Sequence, residues 1–282
     1  MRKLLAFCDD YAKEFAIIFN ADKSKFIVVI ARKRRHLYND MCAYRFFIGG
    51  NIVSNVKQYA HLGHIIVSSF NDRDDIAYRR NCFIGQANNV LCFFSKLDVL
   101  VRLRLFKSYC SSMYGCELWS LADSDSVDVF CCAWRKALRR IFNLPPNTHS
   151  NILPIISDTL PAFDEICKRT ARFISSCFSS SSYLVRFVSW HGVNFCKYSS
   201  PLGSNALIVC KHFSWPFDLF ISSCIDLTNY SFKYWFQSQL NDGIISTTLF
   251  LLELLFVREG CFQLTDFSKQ QLTDIINYVA TI

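Results

Sequence analysis

The sequence predicts an α+β fold that is mostly α. Three observations carry this. Chain breakers are scarce, with nine Gly and six Pro in 282 residues, while 51% of the chain is hydrophobic and only 19% charged; that balance favours packed helices over disorder. Strand-like runs are confined to the first part of the chain. From Asp72 onward Ile76, Phe83, Val90 and Leu97 recur at every seventh position, with Ala87, Leu91 and Phe94 between them, which is the period of an amphipathic helix.

In chain order, Leu4–Ile18 places Leu4, Leu5, Cys8, Tyr11, Ala12, Phe15 and Ala16 on one helical face. Asn20–Asp22 breaks that helix, and Phe26–Ile30 has a strand's composition. Arg45–Ile48 and Ile52–Val56 flank Gly49-Gly50, a hairpin signal. Tyr59–Val67 is extended and bends at Gly63. After the helix that opens at Asp72, a second is marked by Leu103, Phe106, Cys110 and Met113. A third is marked by Phe130, Ala133, Trp134, Ala137, Leu138 and Ile141, opens near Asp123 and stops at Pro145-Pro146. A fourth is marked by Phe163, Ile166, Thr170, Phe173, Ile174 and Cys177, and ends at the Ser179–Ser182 run. Beyond Ser182 the pattern weakens. Ser199–Gly203 reads as a loop, and Ala206–Phe213, Phe217–Cys224, Ser231–Leu240, Ile244–Val257 and Gln270–Tyr278 read as helices. The expected organisation is an incomplete α/β piece over 1–70, a helical piece over 71–180 and a helical tail over 181–282, because a sheet of so few strands cannot close its own core.

The net charge is +8, from 31 Lys and Arg against 23 Asp and Glu, which suits a polyanionic partner. The 14 cysteines are scattered, without a C-x-x-C pair, so they are expected to be reduced, mostly buried small hydrophobes in a nuclear or cytoplasmic protein; the alternative is a metal site assembled by the fold. No secretory segment is legible, since Met1–Phe7 is too short and Asp9-Asp10 ends it. The longest apolar run, Ile244–Val257, is 14 residues and carries Glu253, short of the roughly 20 residues of a bilayer span, so no membrane is expected. A P-loop, a dinucleotide fingerprint, a nucleophile elbow and an H-E-x-x-H pair are all missing from the sequence.

Three stretches carry a family likeness. Leu4–Lys25 reads LLAFCDDYAKEFAIIFNADKSK, Lys57–Ser68 reads KQYAHLGHIIVS, and Asn88–Trp119 is followed by AWRKALRRIFNLPPNTH over Ala133–His149. In this order and spacing they resemble the carboxy-terminal part of a non-LTR retrotransposon reverse transcriptase. The first is similar to the helix and FNxxKSK segment behind the catalytic strands of the palm, the second to the leucine-glycine hairpin that grips the primer, and the third to the helical thumb. The resemblance covers about residues 4–180 and implies the end of a polymerase palm, a helical thumb and a helical tail. A complete relative would be an RNA-directed DNA polymerase whose aspartates hold two Mg2+ ions beside the primer end. Those aspartates belong upstream of the first stretch, so the chain is expected to hold no catalytic residue and no metal site of its own, and to be inactive alone. Asp9-Asp10 imitates the aspartate turn but falls inside a helical pattern.

The resemblance assigns Lys23 to the incoming nucleotide, Lys25 to a backbone contact, and Leu62 with Gly63 to the primer grip. The plain alternatives are solvated loop cations for the lysines and a simple bend at Gly63. His61 and His64 read as surface or packing residues. Arg32–Arg35 is either a phosphate contact, a nuclear address or a solvated loop. On the third helix Arg135, Lys136, Arg139 and Arg140 form rows opposite the apolar stripe, and Lys168, Arg169 and Arg172 do the same on the fourth. Such rows either track a nucleic-acid backbone without reading bases or serve solubility. The expected partners are RNA, DNA or an RNA–DNA hybrid. The two further readings are a sequence-independent binding module and a translated relic with no activity.

Overall fold

The structure, a computed structural model, describes residues 2–20, 23–29 and 42–222, and singly 227, 231, 232, 235 and 238. It is α+β and mostly helical, and it divides into two units, Met1–Tyr78 and Arg79–Ile282. The basic run at 32–35 and the helices expected over 244–257 and 270–278 lie outside the described residues, as does part of the one expected over 231–240.

The first unit opens with helix α1 (Arg2–Glu14). Asp9 and Asp10 lie in its middle. The Asp9 carboxylate accepts the Gly49 N–H at 2.7 Å, and Asp10 stands 3.8 Å from Lys13. Strands β1 (Lys25–Phe26), β2 (Phe46–Ile48) and β3 (Asn51–Asn55) form one sheet in the order β1-β3-β2. β1 runs parallel to β3, with Lys25 opposite Ser54, and β2 pairs antiparallel with β3. Gly49 and Gly50 join β2 to β3 with φ of 56° and 77°, the left-handed pair that a tight hairpin requires. Of the strand expected over Phe26–Ile30, Phe26 is the one described residue that makes a ladder pair, with Lys25 pairing just before it. Strands β4 (Gln58–His61) and β5 (His64–Val67) make a separate hairpin.

This unit buries little. Among its described residues only Ala12, Ile48, Val53, Val67, Asp75 and Ile76 are buried, while Leu4, Phe7 and Tyr11 of α1, and Phe15 just past its end, are exposed.

Helix α2 (Arg73–Phe93) begins in the first unit and continues into the second. There it is followed by α3 (Val99–Tyr109), a 3₁₀ turn (Cys116–Leu118), α4 (Ser124–Ile141), α5 (Ile152–Ser157), α6 (Ala162–Phe178), α7 (Tyr183–Asn194), α8 (Pro201–His212) and α9 (Phe217–Ile221). Most positions of the predicted stripes are buried, but Phe94 of the first is exposed and Phe163, Phe173 and Cys177 of the fourth are half-buried. Phe83, Ala87 and Val90 of α2, Leu103 and Phe106 of α3, and all six named positions of α4 are in the core. Leu97 lies past the end of α2 and is exposed. At the centre Phe83 stacks on Trp134 (5.3 Å between ring centres) and meets the edges or tilted faces of Phe106 and Phe130 at 5.9 and 5.6 Å. Trp119 closes on Phe130 at 5.3 Å. Edge-to-face and offset pairs of this kind add to the free energy of area burial.

Two expectations are corrected. Ser199–Gly203 is not a loop, because Ser200 is an N-cap whose side chain accepts the Gly203 N–H and Pro201 is the first helical residue of α8. Ser-Pro is a helix start as well as a turn signal, since Pro lacks the N–H that the first turn leaves unpaired. Tyr183–Asn194, within the tail expected to be helical, is a helix although it shows no apolar stripe. The second correction concerns the cations of α6, which do not form a solvated row. Lys168 is 8% exposed and paired with Glu165. Arg169 reaches Glu165 (3.0 Å) and the carbonyls of Ser111 and Ser112, and Arg172 donates twice to the carbonyl of Leu227, at 2.8 and 2.7 Å. Arg169 and Arg172 are half-exposed, but acceptors of neighbouring segments lie within their reach, and the forked donors are spent on those carbonyls and the carboxylate instead of on water.

Two contacts lock α8 in place. A Cβ on Gly203 would stand 2.6 Å from the Gly192 carbonyl and 2.7 Å from that of Lys197, so only glycine permits this crossing. Buried Asn205 donates to the Trp119 carbonyl at 2.7 Å and accepts the Leu121 N–H at 2.9 Å. Gly203→Ala is expected to lower the unfolding free energy by about 2 kcal/mol through overpacking. Asn205→Ala is expected to cost a similar amount, about 2 kcal/mol, by leaving two buried backbone groups unpaired. Urea titration measures both.

The cysteines are less buried than expected: among the described ones five are buried, five half-buried and two exposed. Burial pushes the thiol of Cys110 up to about 11 and those of Cys131 and Cys210 to about 12, and it raises Cys116 and Cys167 further. The thiolate is the nucleophile, so a maleimide at neutral pH is expected to label exposed Cys82 and Cys92 in the native chain and to spare these five until the chain is denatured. Peptide mass mapping reads the pattern.

Candidate nucleic-acid interface

Two surfaces collect the residues the sequence singles out, one in each unit.

In the first unit, Asn20 builds a turn around its own carboxamide and carbonyl. Its Oδ1 accepts the Lys23 N–H at 3.0 Å, and its carbonyl accepts the Ser24 N–H at 3.0 Å and the Ser24 hydroxyl at 2.9 Å. This is the local bracket that Asx residues form, and it presents the exposed Lys23. Two residues on, Lys25 enters β1, and its Nζ reaches the Ser54 hydroxyl at 3.4 Å. The Tyr59 hydroxyl, projecting from β4, donates to the Lys23 carbonyl at 2.8 Å. The lysine turn and the β4–β5 hairpin are thereby tied together across a separation of 36 residues.

At the hairpin tip His61 stands opposite His64, leaving Leu62 and Gly63 as a two-residue loop with φ of 49° and 81°. Both central residues are left-handed, as this turn type demands. Glycine adopts that conformation freely, but leucine does so only at a cost of roughly 1–2 kcal/mol. The Leu62 side chain is nevertheless 76% exposed. The hairpin is anchored at its other side by Asp75, a buried carboxylate in the first turn of α2, which accepts the Ile65 N–H at 2.9 Å and stands 3.2 Å from His64 Nδ1. His64 is therefore a packing residue held by an acid. Asp75 was not singled out by the sequence, where it reads only as a helix-start carboxylate.

In the second unit the cations of α4 separate into two kinds. Arg139 is an internal strut, giving Nε and Nη2 to the Thr148 carbonyl at 3.0 and 2.8 Å and Nη2 to the Ser150 hydroxyl at 2.9 Å. Burial, and then repulsion from Arg135, hold its pKa below the usual arginine value. Arg135 pairs with Asp128 at 3.2 Å. Lys136 and Arg140 are exposed, and Arg140 donates to Asn88 Oδ1 of α2 at 2.5 Å. These two lie on the rim of an open groove of about 410 Å³ between α2 and α4, and Arg80 stands on the opposite rim. Phe83, Ala87, Ala133 and Ala137 line it. Arg80 belongs with this group, although in the sequence it is hidden in the Arg79-Arg80 pair at the start of the helical repeat.

Among the described residues no three His, Cys, Asp or Glu side chains are grouped to hold a metal ion, and no helix is long and apolar enough to cross a membrane.

Leu62→Asn is expected to raise stability by up to about 1 kcal/mol, because Asn tolerates the left-handed region that Leu resists. Arg139→Ala is expected to lower it, by about 2 kcal/mol, by freeing a buried carbonyl, whereas Lys136→Ala should leave it within about 0.5 kcal/mol of the parent. Thermal and denaturant unfolding separate the strut from the surface cation. No family model, curated protein or solved structure matches this chain.

Proposed function

We propose that this chain corresponds to the carboxy-terminal part of a non-LTR retrotransposon reverse transcriptase, and that its own activity is sequence-independent binding of RNA or an RNA–DNA hybrid. The observation that carries the reading is the bond from the Tyr59 hydroxyl to the Lys23 carbonyl. It joins the two stretches whose sequences resemble the palm's lysine turn and the primer-grip hairpin. In a polymerase these two features serve the same primer–nucleotide junction. Their physical connection here supports common ancestry beyond the likeness of the letters.

Nucleotide addition is not expected from these residues alone. Asp9 and Asp10 sit inside α1, and Asp9 is engaged with the Gly49 amide. A carboxylate pair that gathers two Mg2+ ions needs its oxygens free and converging. The Mg2+ of a complete relative would have to be held elsewhere.

Binding is the part the surface supports. Lys23 and Lys25 in the first unit, with Arg80, Lys136 and Arg140 in the second, are cations that can meet phosphates. Leu62 and Gly63 supply an apolar tip and a close backbone approach on the hairpin whose Tyr59 holds the lysine turn. No base-reading constellation accompanies them among the described residues, so the contact is with backbone and shape.

The full chain is expected to retard a labelled RNA–DNA hybrid at low salt and to release it as salt rises. Lys136→Glu with Arg140→Glu should flatten the slope of log K against log salt, by about one unit for each phosphate that is no longer neutralised. Primer extension in magnesium should yield no product. Absence of any shift for single strand, duplex and hybrid at low salt would remove the binding claim, and extension of a primer would remove the claim of inactivity.

A further inference from the structure

Helix α7 carries apolar side chains on every side. Ser189 and Val193 are the buried residues of the helix, and it packs there against α6 and α8. The opposite face is exposed. Tyr183, Leu184 and Val188 are 71%, 68% and 58% exposed, and Phe187 is half exposed. Along this face a ladder of rings climbs at every fourth position, with Tyr183 to Phe187 at 6.0 Å, Phe187 to His191 at 6.2 Å and His191 to Phe195 at 5.3 Å between centres. A helix that is apolar all round is one that a protein covers on all sides, and a contiguous patch of this size marks an interface.

The chemistry of the face narrows what covers it. Arg186 is the one Lys, Arg, Asp or Glu of α7, and its guanidinium turns back to the carbonyls of Ser180 and Ser181. α7 itself therefore offers no free Lys or Arg for a phosphate backbone and no anion for a basic segment, although the chain as a whole carries +8; Lys197, just beyond it, turns its Nζ onto the Phe217 ring at 4.4 Å. Interfaces with transient partners are about as polar as the rest of a protein surface, whereas homodimer interfaces are more apolar. The exposed area of Tyr183, Leu184, Phe187, Val188 and Phe195 together is on the order of 600 Å², one partner's share at the small end of stable interfaces. Two identical copies related by a two-fold axis can lay such helices side by side, running in opposite directions. No like charges meet when they do.

We propose that α7 is the contact through which a second copy of this chain docks, ladder against ladder, to form a two-fold dimer. This is independent of the nucleic-acid reading. Neither its residues nor its chemistry are shared with the basic groove.

Sedimentation of the full chain is expected to approach twice its 32.7 kDa mass as concentration rises. Leu184→Lys with Val188→Lys should hold it at the mass of one chain over the same range, and so should Leu184→Glu with Val188→Glu. Both positions are more than half exposed, so helical circular dichroism should be unchanged in both variants. The discriminating measurement is the mixture of the lysine and glutamate variants, in which opposite charges face each other only if the two copies meet through α7. Recovery of the doubled mass in the mixture supports the proposal. A wild-type chain that stays at single mass throughout overturns it, because the face is then covered from within the chain or by another protein. So does a doubled mass that neither variant disturbs.

Discussion

One ring organises the second unit. Phe83 of α2 is in contact with Phe106 of α3, and with Phe130 and Trp134 of α4, so three helices share a single aromatic centre. Rings of this kind are rigid and bury large areas at little conformational cost. The remaining parts are placed relative to that centre. Trp119 extends it through Phe130 into the segment that Asn205 grips, and Asn205 in turn fixes α8. The basic groove is a by-product of the same packing, because Phe83 forms part of its lining while alanines at 87, 133 and 137 keep it open.

Arginine has two employments in this molecule. Arg139, Arg169 and Arg172 spend their forked donors on carbonyls of distant segments, where a planar guanidinium satisfies several acceptors at once. Arg140 and Lys136 remain at the surface. A sequence reading sees all of these as helix cations at i, i+4 and cannot sort them, because the sorting depends on which acceptors of other segments lie within reach. Net positive charge therefore overstates the capacity for phosphate, as several of the cations are already neutralised or directed inward.

Much of the fold was legible where burial is one-sided. The stripes on α3 and α4, the α2 stripe as far as Val90, the Gly49-Gly50 hairpin and the bend at Gly63 are where periodicity and turn chemistry put them. Legibility failed where that premise failed. α7 shows no stripe because it is apolar all round, and α8 begins at a Ser-Pro-Leu-Gly that serves equally as turn and cap. α1 has a clear stripe, yet in this unit only Ala12 is buried on it. At the candidate site, the likeness to a known family located Lys23 and the hairpin separately. It did not foresee that Tyr59 joins them or that Asp75 braces the hairpin, since such contacts span separations with no local signature.

The left-handed leucine at position 62 has a consequence for what keeps the hairpin shut. A loop residue that resists its own backbone conformation does not drive closure, so β4 and β5 are held together by their ladder and by the Asp75 bracket on Ile65 rather than by the turn that joins them.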